Sequence, residues 1–307
     1  TPSYTGADVS NYSITNQSST IANITTKALT VSSITTSNKT YDGNTVATLN
    51  TSSVLYSGLV AGDTFSGSYT GAFANANVGT GKTVTISPTY SGADVSNYNI
   101  ANHSTITADI SKKALTATAS ASNKVYNAVN TATTSLTLSG LIGTETLNTS
   151  NTSTFNNKNV GTSKTVTVNS ITLSNGSNGG LAANYSISAG QTTTANITAK
   201  ALTVSGITAS NKTYDSNTTA TLNTGSVSYS GLVGGDVFNG TYTGAFSDKN
   251  VGTGKTVTIT PSYTGADVSN YSITYQMSPI ANITTQALTV SGIATSTKTD
   301  DGNTVAT

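Results

Sequence analysis

Apolar and polar residues alternate with period two along much of this chain. Leu29 and Val31 alternate with Thr30 and Ser32. The run Thr83-Val84-Thr85-Ile86 repeats the pattern and returns as Thr165-Val166-Thr167-Val168 and Thr256-Val257-Thr258-Ile259. Such alternation turns the apolar side chains to one face of a β-strand. Between residues 28 and 113 the pattern predicts about seven short strands. They centre on Leu29–Val31, Val46–Leu49, Val54–Tyr56, Tyr69–Phe73, Thr83–Ile86, Tyr98–Ile100 and Ile106–Ile110. Turn-forming residues separate them, most clearly Gly58-Leu59-Val60-Ala61-Gly62-Asp63. Short strands punctuated every 8–12 residues point to an all-β sandwich or a related compact β module.

The pattern is also periodic on a longer scale. Ala-Leu-Thr recurs at Ala28, Ala114, Ala201 and Ala287, at spacings of 86, 87 and 86 residues. Three modules are predicted, at 28–113, 114–200 and 201–286. They are flanked by the tail of a preceding module (1–27) and the head of a following one (287–307). Residues 1–48 and 260–307 are identical at 40 of 48 positions. The middle module has diverged most. Repeats of this length suit compact domains better than solenoid coils. The junction Ile24-Thr25-Thr26-Lys27-Ala28-Leu29 contains no Gly, Pro or Ser spacer, so one module's last strand is expected to run into the next module's first. The expected architecture is an elongated array of sandwich-like, or β-grasp-like, modules.

Composition narrows the function. Only 8% of residues are charged, the 13 basic residues are all lysine, and the formal net charge is +1. Lysines strung out singly do not make a nucleic-acid surface or a polybasic membrane contact. No 18-residue apolar run exists to span a bilayer. Cysteine is absent, which excludes disulfides and thiolate metal sites.

Candidate chemistry is sparse. Val78-Gly79-Thr80-Gly81-Lys82-Thr83 has a P-loop-like ending, but Ala76 stands where the first glycine is required and a strand follows, so a hairpin turn is expected. His103 is the only histidine and is expected in an exposed loop. The recurring acids are single: Asp63, Glu145 and Asp236 in one turn, and Asp8, Asp94 and Asp267 in another. Turn stabilisation suits them better than paired-carboxylate catalysis or calcium binding. No cofactor, metal site or catalytic set is expected, and the chain reads as a non-enzyme. Asn-x-Ser/Thr sequons such as Asn11, Asn23, Asn38, Asn196, Asn211 and Asn282 are dense, as this composition alone would make them.

The stretch Ser37-Asn38-Lys39-Thr40-Tyr41-Asp42-Gly43-Asn44-Thr45 returns at 122–127, 210–215 and 296–301. Asp-Gly suggests a tight turn with positive φ. Replacement of Gly43 by Ala128 and Ser216 argues against that requirement. The lysines Lys39, Lys124 and Lys212 and the tyrosines Tyr41, Tyr126 and Tyr214 are steadier. With Tyr98, Tyr185 and Tyr271 they are predicted to be packing anchors.

This motif resembles the signature of the bacterial YDG repeat module. So do the Gly58–Asp63 and Gly231–Asp236 turns, the runs Asn77–Val84 and Asn250–Val257, and Asn97-Tyr98 and Asn270-Tyr271. The middle module departs from the pattern at Tyr126-Asn127-Ala128-Val129 and Gly140–Glu145, and the last copy has Asp300 in place of tyrosine. The resemblance implies tandem modules of large, filamentous-haemagglutinin-like surface adhesins. The expected role is a semi-rigid stalk or fibre at the bacterial cell surface, with neighbouring copies of the same modules and host or matrix glycans or proteins as partners. Two alternatives are glycan binding through tyrosines such as Tyr69 and Tyr242, and a fibre subunit joined through the terminal part-modules. Rod-like adhesins of other families join lysine to asparagine by an amide bond beside a buried acid. The sets Lys39/Asp63/Asn97, Lys124/Glu145/Asn184 and Lys212/Asp236/Asn270 are candidates here, against a solvated lysine and a turn-forming asparagine.

Overall fold

The computed structural model describes residues 1–305. The chain is nearly all β, and the only helices among the described residues are four single 3-10 turns, at Val9–Asn11, Val95–Asn97, Ala182–Asn184 and Val268–Asn270. Three repeats of about 85 residues have sheets curled into barrel-like shapes. Compactness groups the chain differently from its repeats. One unit comprises Thr1–Thr116, Ser139–Asn148 and Leu173–Ile187. The other comprises Ala117–Leu138, Thr149–Thr172 and the chain from Ser188 onward. The middle repeat thus contributes to both.

Module 1 lies wholly in the first unit and contains ten strands: β1 (Lys27–Ser32), β2 (Thr35–Thr36), β3 (Lys39–Thr40), β4 (Val46–Ala47), β5 (Leu49–Asn50), β6 (Leu55–Ser57), β7 (Ser66–Phe73), β8 (Gly79–Ser91), β9 (Tyr98–Ala101) and β10 (Thr105–Ser111). A three-stranded sheet runs β6-β1-β9 and a five-stranded sheet runs β3-β10-β8-β7-β4. The β2–β5 pair stands apart. Leu29, Val31, Ile34, Val84 and Ile86 form the core, so the alternation in β1 and β8 does separate an inner from an outer face. Two pairings are parallel, β1 with β9 and β10 with β3. A parallel neighbour must come from far along the chain, which local patterning does not show. Pro88 lies opposite Tyr69 in the β7–β8 ladder, beyond the last β10 partner at Thr85. Its missing N–H therefore falls on a free edge.

Several local expectations are corrected. Gly79–Lys82 forms no hairpin turn. It lies within β8 at a bulge, where the β10 register shifts between Ala108 and Ile110. Gly81 has φ +59° there, and its N–H donates to the Asp109 carboxylate at 2.7 Å. Ser163 and Gly254 repeat the geometry, with Asn196 and Asn282 as acceptors at 2.8 Å. The motif turn does require a left-handed residue: φ is +79° at Gly43, +64° at Ala128 and +68° at Ser216. Alanine and serine tolerate that region at a cost of order 1 kcal/mol, which a fixed loop can override. His103 is half-buried, and its Nδ1 accepts the Ile34 N–H at 3.3 Å.

The passage between modules is as short as the sequence implies. β10 ends at Ser111 and the next strand starts at Lys113. Thr192–Thr198 and Lys200–Ser205 are likewise one residue apart. In the second unit, module 3 repeats the three- and five-stranded sheets of module 1. Its core is continuous across the repeat boundary: Tyr126, Phe155, Val166 and Ile197 of module 2 cluster with Leu202, Phe238 and Tyr271 of module 3. Residues 1–26 contain no strand. Leu288, Val290 and Ile293 are exposed, although their counterparts Leu29, Val31 and Ile34 are buried.

Candidate functional site

The recurring motif has two jobs, divided between its lysine and its tyrosine. Lys39 Nζ donates to the Asn44 carbonyl at 2.9 Å, Asn44 Oδ1 at 3.0 Å and the Val46 carbonyl at 3.1 Å, and it pairs with Asp42 at 2.7 Å. The ammonium also lies 5.6 Å from the centre of the Phe73 ring. Lys212 repeats this set around Asn217, Thr219, Asp215 and Phe246. Its charge holds the Asp215 carboxyl below its usual value. Lys124 clamps Val129 and Thr131 in the same way above Phe155, and burial pushes its pKa down. The lysine therefore closes the loop that follows it and fixes the left-handed residue.

The tyrosine reaches out of its own module. Tyr41 is 4% exposed because it packs on module 2, where its hydroxyl donates to Glu145 Oε1 at 2.6 Å. Tyr185 of module 2 donates to the other carboxylate oxygen, Oε2, at 2.7 Å. The Ile142 N–H donates to the Tyr185 hydroxyl at 3.0 Å. The two rings meet edge to face, with centroids 5.3 Å apart and an interplanar angle of 79°. A single carboxylate is thus shared by two tyrosines from adjacent modules. Burial, and then the bond to Glu145, raise both phenol pKa values, that of Tyr185 to about 12.

The same joint forms in the second unit between modules 2 and 3. Tyr126, 1% exposed, donates to Asp236 Oδ1 at 3.1 Å, and Tyr271 donates to Oδ2 at 2.5 Å. The Val233 N–H donates to the Tyr271 hydroxyl at 3.0 Å, and the rings are 5.6 Å apart at 76°. Burial followed by the Asp236 bond raises Tyr271 to about 12. In module 1, Tyr98 donates to Asp63 and accepts the Val60 N–H, so this half of the joint is built into each module.

A second latch uses the asparagine before that tyrosine. Asn184 accepts the Val78 N–H at 2.9 Å and donates to Asn77 Oδ1 at 3.1 Å. Asn270 does the same with Val160 at 2.9 Å and Asn159 at 3.3 Å. Both asparagines are 1% exposed. Burial this deep is tolerated because both ends of each amide are bonded.

This arrangement disposes of the cross-link sets. Lys39 and Lys212 spend their donors on loop carbonyls and carboxylates of their own motif. Asp63 and Asp236 accept from tyrosines, and Asn270 faces module 2. Module 1 and module 3 therefore do not assemble lysine, acid and asparagine into a reactive trio. In module 2, Lys124 is committed to its loop, while Glu145 and Asn184 are committed to module 1. The two tyrosines considered for sugar binding face other side chains of their own module. Tyr69 donates to the Tyr56 hydroxyl at 3.1 Å, packs edge-on to Tyr90 and joins the inner cluster with Val31 and Ile34. Tyr242 is turned inward in the same way beside Tyr229 and Tyr263. Lys82 meets Asn75 rather than an open phosphate cradle. Among the described residues, no group of three His, Cys, Asp or Glu side chains converges as a metal site, and no helix is long and apolar enough to cross a membrane.

The order of these elements decides the family. The YDG domain model matches residues 25–108, 111–195 and 198–278, three tandem copies that together span most of the chain. The chain belongs to the YDG domain family. No curated protein matches it. The motif tyrosines Tyr41 and Tyr126 each make their side-chain hydrogen bond to the following YDG module, whereas Tyr214 packs against the Phe246 cluster of its own module.

Sequence reasoning missed four participants: Asn77, Ile142, Lys158 and the role of Asp267. Lys158 pairs with Asp267 at 3.0 Å and Asp236 at 3.5 Å, with its ammonium 6.0 Å from the Tyr126 ring centre. The Asp267 bond raises the lysine pKa, and the Val237 N–H and Lys158 together hold Asp267 below its usual value. One signal was available. In the YDG copies the positions of Lys158 and Asp267 are Ala76 and Leu181 at the other joint, so both members of the pair change together.

Proposed function

We propose that this YDG array is a structural or adhesive segment of a bacterial cell-surface or extracellular filamentous protein, acting as a semi-rigid repeat stalk. The observation that carries this reading is the shared carboxylate. At both joints a motif tyrosine and a buried asparagine bond across to the adjacent module, as a load-transmitting array requires. Two buried, charge-assisted hydrogen bonds per joint, each worth roughly 1.5–3 kcal/mol, oppose bending there. The one-residue passages between strands leave little slack for rotation. A surface of threonine, serine and asparagine with few charges suits hydration without strong long-range fields.

Immunogold labelling of intact producing cells, with antibodies raised against this chain, tests the reading. Label on filaments or projections outside unpermeabilised cells is expected. Label that appears only after permeabilisation would contradict an extracellular role.

A further inference from the structure

One loop of module 3, following the strand Tyr271–Tyr275, departs from its copies in a single direction. Residues 1–27 and 260–286 differ at only four positions, and three of these cluster here: Asn16, Ser18 and Thr20 correspond to Tyr275, Met277 and Pro279. The same loop holds Asn102 and Ser104 in module 1 and Ala189 and Gln191 in module 2. Large apolar side chains thus replace small or polar ones at an exposed site. Tyr275 is 47% exposed, and Met277, the only methionine of the chain, is 88% exposed. A following module does not cover this loop, since Asn102 and Ser104 of module 1 and Ala189 of module 2 are exposed as well.

The exchange also removes a hydrogen bond. Tyr90 donates to Asn102 Oδ1 at 2.7 Å, and Tyr4 donates to Asn16 Oδ1 at 2.7 Å. Tyr263 is the counterpart of both. With Tyr275 in place of the asparagine, its buried hydroxyl has no partner among the described residues. An unpaired buried hydroxyl is unfavourable, so stability does not account for Tyr275. A cavity does. Ile259, Ile273, Tyr275 and Met277 line a space of about 380 Å³ beside the loop. That volume falls within the range of small-ligand pockets, roughly 300–1,000 Å³. None of its lining residues is charged. Gln276 Oε1 accepts the Gly206 and Ile207 N–H groups at 2.9 and 3.2 Å, which fixes the amide and leaves Nε2 without a partner among the described residues. Thr258 and Ser278 add hydroxyls to the same lining.

We propose that this cavity of module 3 binds a neutral saccharide. Tyr275 supplies an aromatic wall for the C–H face of a pyranose ring, and Met277, Ile259 and Ile273 extend the apolar surface. The Gln276 amide and the Thr258 and Ser278 hydroxyls supply partners for the ring hydroxyls. A charged ligand would enter without a counter-ion, and a wholly apolar one would leave these polar groups unpaired. The loops of modules 1 and 2 lack both Tyr275 and Met277, so the site belongs to module 3 alone.

Met277 supplies its own reporter. In the full 307-residue chain labelled with methyl-¹³C methionine, a single methyl signal is expected. Titration with neutral oligosaccharides of glucose, galactose and N-acetylglucosamine should shift it in a saturable way with at least one of them. By titration calorimetry with that sugar, Tyr275→Asn and Met277→Ser should each weaken binding at least tenfold. Tyr275→Asn restores the module 1 residue and an acceptor for Tyr263, so its thermal midpoint should equal or exceed that of the wild type. Loss of binding is then separated from loss of fold. A Met277 signal that no sugar moves at its solubility limit would overturn the proposal, as would affinity unchanged by both substitutions. A signal that moves with protein concentration alone would assign the patch to a second copy and overturn it too. The assay uses purified chain and does not depend on where the protein resides, so its failure is distinct from failure of the proposed surface role.

Discussion

The joint between modules 1 and 2 and the joint between modules 2 and 3 share a frame but differ in their filling. Both place a motif tyrosine and a second tyrosine on one carboxylate, and both bury an asparagine latched to a valine N–H. The first uses Glu145 and a close Gly43–Ile142 approach, with Ala76 and Leu181 at the flanking positions. The second uses the shorter Asp236, Ala128 beside Val233, and an ion pair between Lys158 and Asp267. The frame is therefore common to both joints, while the filling differs between them.

The largest effects should come from the frame. Tyr126→Ala and Tyr41→Ala each remove a buried aromatic ring and should cost about 3–5 kcal/mol in denaturant unfolding. Tyr214 packs against the Phe246 cluster but its hydroxyl makes no hydrogen bond among the described residues, so Tyr214→Ala should cost less, about 1–2 kcal/mol. Equal losses at all three positions would break the distinction between tyrosines bonded across a joint and one that is not.

Removing the carboxylate comes next. Glu145→Ala strands two buried hydroxyls, at roughly 1–3 kcal/mol each. Asp236→Ala strands the Tyr271 hydroxyl but leaves Tyr126 and Lys158 with Asp267, at 3.4 and 3.0 Å, so it should cost less than Glu145→Ala under matched conditions. The same denaturation curves rank the two substitutions.

The Gly43 approach sharpens the comparison further. Gly43→Ala should destabilise by about 1–3 kcal/mol, because its Cβ meets Ile142 and its φ is left-handed. Ile142→Val should recover part of that loss in the double variant, since valine is the residue found opposite Ala128. Additivity of the two changes would separate the glycine from the joint.

The smallest contrast is electrostatic. Asp267 is held below its usual carboxyl value in the folded chain. Its contribution is full above the unfolded value of about 3.9 and is lost as pH falls through the lower folded value. Wild-type chain should therefore lose stability more steeply in acid, from about pH 4 downward, than a Lys158→Ala/Asp267→Leu variant. Identical acid limbs would remove the ion pair from the account. In alkali both joints should weaken across about pH 10 to 12, as tyrosines raised in the folded state ionise first in the unfolded one.

Much of the fold was legible because each repeat carries the same alternation. The strands at Leu29–Val31 and Thr83–Ile86 follow directly from their period, and Leu29, Val31, Val84 and Ile86 are core. The two-residue strands, such as Lys39–Thr40, were not legible, since two residues have no period. Their parallel partners lie some 70 residues away. The left-handed turn is not legible from composition, because alanine and serine replace glycine in two copies yet keep φ at +64° and +68°. At the candidate site the tyrosines and asparagines could be found by recurrence. Their partners could not, because those belong to the adjacent copy, and a repeat aligned with itself does not reveal contacts between copies. Only the joint change from Ala76 and Leu181 to Lys158 and Asp267 carried that information.

The central claim is that a tyrosine of one YDG module is energetically coupled to the acid of the next. A double-mutant cycle of Tyr126→Phe and Asp236→Asn, read by denaturant unfolding, measures it most directly. The account predicts a coupling energy of about 0.5–3 kcal/mol, matched by the parallel cycle of Tyr41→Phe and Glu145→Gln. Additivity within about 0.3 kcal/mol at both joints would contradict it.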